Sequence, residues 1–119
     1  MKQRRQRIQS LGHIAFLHSL PCIACGNDLG SDAAHIRFTD PRASKRNPGI
    51  GQKPSDMWTV PLCRVCHSKQ HSMNERAYWA AVGVDPVFYA LALWAFSGDY
   101  QTCCEIVLAA TQLGNTTRN

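Results

Sequence analysis

Ile8, Leu11, Ile14, Ala15 and Leu17 recur at spacings of three and four, the period of one helix face. They predict a helix over residues 2–19, ended by Pro21. Residues 33–38 (AAHIRF) and 57–60 (MWTV) read as two short strands that pair with each other. Between them, residues 39–55 hold three Pro, two Gly and four cations, and no regular element fits there. A long basic loop inside a compact domain is functional or mobile. A helix is expected from about residue 64 to 71. Ser72 or Asn74 then caps a helix over 76–82 with Gly83 as its stop. Asp85-Pro86 opens a helix over 87–96 with Gly98 as its stop, and Asp99 opens another over 100–113 with Gly114 as its stop. Tyr78, Trp79, Phe88, Leu91, Trp94 and Ile106 are the expected core of this second half, and residues 115–119 a frayed tail.

A chain of 119 residues with 45% hydrophobic content is long and apolar enough for one folded domain, which excludes a disordered polyelectrolyte. The expected organisation is a basic N-terminal helix (1–19), a core (20–72), C-terminal helices (73–114) and a tail. The net charge of +5 is uneven. Residues 1–71 carry 11 Lys or Arg against 4 Asp or Glu, whereas residues 72–119 carry 2 against 4. A basic half of this kind suits a polyanion, most often nucleic acid. Lys2, Arg4, Arg5 and Arg7 form either a solvated helix end or a DNA-contacting arm. The N-terminal stretch is too polar for a signal sequence, and no apolar run nears the roughly 20 residues that span a bilayer. A cytoplasmic protein without membrane contact is therefore expected.

Six cysteines are present, and four form two Cys-x2-Cys pairs, Cys22/Cys25 and Cys63/Cys66. In a cytoplasmic protein such pairs favour metal over disulfides. Residues 21–28 (PCIACGND) read as a tight knuckle, with Gly26 letting backbone amides turn toward the thiolates. Four thiolates fill a tetrahedral zinc shell and leave no open position, so the expected Zn²⁺ is structural. Cys103 and Cys104 read as small hydrophobes on different helix faces. His13 and His18 read as surface residues of the first helix. His67 and His71 lie four apart on one helix face and can share a second ion, with His35 facing them from the inserted strand. A neutral imidazole beside a metal-bound phosphate is a workable phosphodiesterase: the imidazole takes a proton from water and the metal neutralises charge on the phosphate.

The run AAHIRF…GIGQKPSDMWTVPLCRVCHSKQH, within residues 20–72, closely resembles the HNH, or ββα-metal, endonucleases, and in particular the small HNH proteins of phages and prophages. The resemblance implies an α+β fold, with a ββα-metal core stapled by zinc knuckles and flanked by an N-terminal helix and C-terminal helices. It implies a metal-dependent DNA endonuclease, acting in phage recombination or DNA processing. By it, His35 matches the general base, His67 the metal-binding His after the second knuckle, and His71 a position that binds metal or the scissile phosphate. The catalytic ion would be Mg²⁺ or another divalent cation.

Two positions depart from the family pattern. Ala34 stands where many members carry an acidic or His ligand, and no Asn lies between Pro48 and Met73. Asp56 is the nearest substitute, and it orients His35, binds the ion, or caps a turn in KPSD. Arg37, Arg42, Lys45, Arg46, Lys53 and Lys69 are the expected phosphate contacts. The alternative reading is a non-catalytic zinc module that binds nucleic acid. A third is a structural zinc protein whose acidic, aromatic second half binds a protein, and a recombination protein is a candidate partner for the nuclease itself.

Overall fold

The computed structural model describes residues 8–46 and 54–118. Helix α1 spans Leu11–His18 and starts later than its apolar period predicts. The Ser10 hydroxyl accepts the His13 N–H and caps the helix there. Residues 8–10 are committed elsewhere: Ile8 N–H donates to Ser55 Oγ, Asp56 N–H to the Ile8 carbonyl, and Ser10 N–H to Asp56 Oδ2. Residues 2–7 of the expected helix lie outside the described residues. His13 is buried rather than on the surface, with its ring edge-on to Trp94 at 4.9 Å and its Nδ1 2.7 Å from Ser97 Oγ.

Strands β1 (Asp32–His35) and β2 (Thr59–Leu62) pair antiparallel, with Asp32 opposite Leu62 and His35 opposite Thr59. The Ile36 N–H reaches the Trp58 carbonyl and extends the pairing beyond the strand. On the other side of β2, the carbonyl of Pro61 accepts the Ile23 N–H, so the first cysteine knuckle is hydrogen-bonded to the sheet. The polar connection holds a 3-10 turn, Pro41–Ala43, capped by Asp40, and an Asp40–Lys45 bridge. Among the described residues five helices flank the pair, an α+β arrangement: α2 (Arg64–His71), α3 (Glu75–Val82), α4 (Pro86–Ala95) and α5 (Tyr100–Arg118) follow α1.

Leu17, Leu20, Ile23, Ile36, Val60 and Leu62 form one buried cluster with Tyr78, Trp79, Leu93 and Val107. Helix α4 turns Val87, Ala90 and Leu93 inward, one face at three-residue spacing. Phe88 (62% exposed) and Leu91 sit on the neighbouring stripe and face outward, contrary to the expected core. Among the described residues no single helix is long and apolar enough to cross a membrane, and α3 and α4, apolar together, are bent by 82° at their junction.

Helix α5 does not stop at Gly114 but runs through it to Arg118. A Cβ at position 114 would lie 2.7 Å from the Val82 carbonyl oxygen and 3.3 Å from Val84 Cγ2. Glycine here permits a close approach of α5 to the end of α3. Gly114→Ala is expected to cost about 1–3 kcal/mol in urea denaturation, since one helix must shift. Gly12→Ala, which meets nothing within 4 Å, is the control and should be neutral or stabilising.

Candidate metal centre and histidine cluster

The Sγ atoms of Cys22, Cys25, Cys63 and Cys66 all lie within 4.8 Å of one another, and Cys25 and Cys63 are 3.8 Å apart. Zinc–sulfur bonds of about 2.3 Å at tetrahedral angles put the sulfurs roughly 3.8 Å apart, so the cluster has the dimensions of a zinc site. None of the four is in a disulfide. The local chain explains the convergence. The Gly26 N–H closes the first knuckle on the Cys22 carbonyl, and Gly26 has a φ of 80°, which glycine adopts without strain. Cys63 is the N-cap of α2, and the His67 N–H closes the first helical turn on its carbonyl. From α5, Thr111 donates to the Ile23 carbonyl and fixes the first knuckle from behind. Burial and the neighbouring thiols push Cys66 well up and Cys25 up. For Cys63 burial opposes ionisation, but hydrogen bonds from the Cys66 N–H and the nearby thiols outweigh it and bring the pKa down. Four crowded thiols with opposed ionisation are the donor set that a cation resolves, because it favours every thiolate at once.

The expected histidines gather around two carboxylates. The His67 Nδ1 lies 2.9 Å from Asp32 Oδ2, and its Nε2 lies 3.0 Å from His71 Nε2. Arg64, one turn before His67, reaches both Asp32 oxygens at 3.2 Å. The His67 hydrogen bond, helped by the Arg64 charge, holds the Asp32 carboxyl below the usual carboxylate range. His35 Nε2 lies 2.9 Å from Asp56 Oδ1, and Asp56 is buried with its other oxygen on the Ser10 N–H at 2.8 Å. Asp56 thus joins His35 to the segment before α1. Alternation along β1 puts Asp32 and Ala34 on one face and His35 on the other. Among the described residues the only group of three or more donors converging on one point is the four cysteines. His67 and His71 thus offer two nitrogens, and not a closed shell, to any second ion.

Asp32 escaped the sequence reading. Its signal was its position two residues before Ala34, hence on the same strand face as the absent ligand.

The expected phosphate contacts divide. Arg37, Arg46 and Lys69 are exposed. Lys45 is not available: it is 1% exposed, with its Nζ 2.6 Å from the Phe38 carbonyl and 5.9 and 5.8 Å from the ring centres of Phe38 and Trp58. The Asp40–Lys45 bridge turns it inward, and burial lowers its pKa to about 8. Arg42 is exposed, but its guanidinium is bound by Asp40 at 2.7 Å and Asp85 at 3.2 Å. Lys53 lies outside the described residues.

The chain belongs to the family described as protein of unknown function (DUF968), whose model matches residues 1–96, a span that includes both cysteine pairs and every histidine named above. No curated protein and no solved structure matches the chain.

Metal analysis of purified protein is expected to give one zinc per chain. Cys22→Ser or Cys66→Ser should lose it together with cooperative unfolding, because metal-binding free energy at such a site is folding free energy. Disulfides among these cysteines, or metal-free protein with an unchanged melting curve, would refute the assignment.

Proposed function

We propose that this DUF968 protein is a metal-dependent DNA endonuclease of the HNH kind, hydrolysing phosphodiester bonds in phage recombination or DNA processing. The observation that carries the reading is a pair of histidine–carboxylate couples, His35–Asp56 and His67–Asp32, held on one strand pair and its following helix. Asp32 and His35 are three residues apart on β1, about 10 Å along a strand.

In this reading Asp56 accepts the Nε2–H of His35 and leaves Nδ1 to take a proton from water. The Ser10 N–H supports Asp56 as the anion, so the couple keeps its orientation. His67 and His71 present their Nε2 atoms for a divalent ion such as Mg²⁺. Bound there, the ion would supply charge neutralisation at the phosphate and leaving oxygen. The four cysteines hold structural zinc and leave no position for substrate. Arg37, Arg46 and Lys69 supply the described surface for the DNA backbone.

Plasmid nicking in Mg²⁺ or Mn²⁺ tests the reading. His35→Ala should lower the rate by about 10²- to 10⁴-fold while zinc content and fold stay normal. His67→Ala should also lose activity, with partial recovery in excess Mn²⁺. Near-normal nicking by clean His35→Ala protein would remove this mechanism and leave the non-catalytic, nucleic-acid-binding zinc module.

Replacing Arg37, Arg46 and Lys69 together should weaken DNA binding and reduce the slope of log affinity against log salt by about 2 to 3, one counterion per lost contact. Lys45→Met should leave that slope alone. A gel-shift series across salt concentrations decides it, and an unchanged slope in the triple variant would place DNA on another face.

A further inference from the structure

We infer that Asp32 is a positioning residue that compensates for Ala34: it does not ligate the second ion but fixes the ring of His67 that does. This rests on the nuclease reading above. Ala34 is 1% exposed and its methyl group packs in the core, so nothing at that position can hold a cation. Asp32 lies on the same face of β1, two residues earlier. Its Oδ2 accepts the His67 Nδ1–H at 2.9 Å, and that bond leaves the lone pair of His67 on Nε2. The lone pair then points at His71 Nε2, 3.0 Å away. Two imidazole nitrogens this close share either a hydrogen or a cation. Two metal–nitrogen bonds of about 2.1 Å at a right angle span roughly 3.0 Å, so the spacing matches adjacent positions on one ion. Arg64 grips both Asp32 oxygens, which keeps the carboxylate charged and turned toward the ring. A carboxylate behind a metal-bound His raises its basicity and fixes its rotamer, and losing one typically costs about 10- to 100-fold in affinity.

The test uses full-length, zinc-loaded protein and Mn²⁺ as the probe, with free Mn²⁺ read by electron paramagnetic resonance. The wild-type chain should take up one Mn²⁺ beyond its zinc, and His67→Ala should not. Asp32→Ala should bind it about 10- to 100-fold more weakly with zinc still at one per chain. Asp32→Asn, which keeps an acceptor oxygen for Nδ1–H, should recover part of the loss. Long-range ¹H–¹⁵N spectra give a second readout that needs no added ion: His67 should carry its proton on Nδ1 in the wild type and lose that preference in Asp32→Ala. Wild-type affinity in Asp32→Ala, or a His67 tautomer that ignores the substitution, overturns the inference and leaves the nuclease reading standing. A wild-type chain that binds no ion beyond zinc overturns both. Loss of the zinc itself in Asp32→Ala would show a role in the fold and overturn the positioning role.

Discussion

The convergence of four cysteine sulfurs is the constraint on which the structure depends. Cys25 and Cys63 are 38 residues apart in sequence and 3.8 Å apart in space. A two-stranded sheet of four-residue strands is not stable alone and relies on what packs against it. The cluster joins the first knuckle to the start of α2, and the Ile23–Pro61 hydrogen bond and Thr111 lock that knuckle to β2 and α5. Cys63 also sets where α2 begins, since it is the N-cap. The position of every later side chain on α2 follows from that start, including His67 and His71.

The same device appears twice around the strand pair: a carboxylate accepts one ring N–H and so fixes which nitrogen carries the lone pair. Asp56 does this for His35, and Asp32 for His67. The two carboxylates are supported differently. Asp56 is buried and held by a backbone N–H of the segment before α1, which makes the N-terminal segment part of the site. Asp32 is only partly buried, and a flexible guanidinium supports it. An exposed ion pair of that sort contributes little to stability, so its value lies in orienting a ring more than in holding the fold.

Much of the fold was legible because the signals were local. Cys-x2-Cys twice, a turn glycine after the first pair, and Asn74, Asp85 and Asp99 before apolar periods each specify their own few residues. What escaped the sequence was decided by tertiary partners. The period through Ile8 continues that of α1, but hydrogen bonds to Ser55 and Asp56 hold residues 8–10 outside the helix. Gly114 carries the composition of a stop and the function of a contact, because only the position of Val82 distinguishes them. Phe88 and Leu91 have core chemistry, yet the inward stripe of α4 is the one next to theirs. Lys45 counts as a surface charge until the Asp40–Lys45 bridge turns it under Trp58. Asp32 shares the strand face of Ala34, but its bond to His67 exists only because β1 and α2 pack side by side.

Cys66 and His67 are consecutive on α2, about 100° apart around the helix, and this divides the labour of one turn. Cys66 turns to the sulfur cluster and His67 to Asp32. A closed four-thiolate site would have no open position, so under the proposed nuclease reading the chemistry is assigned to the imidazoles. Yet the imidazoles cannot be placed without the thiolates, because a shift of the knuckle moves His67 with it. Loss of activity in a cysteine variant would therefore report on position, and would not make the cysteine catalytic. A substitution at His35 reports differently, since its ring stands on β1, is oriented from the turn at Asp56, and shares no backbone with the knuckles. The chain thus separates a group that must be present for the site to exist from the groups that would act within it, and the two classes can be told apart by zinc content alone.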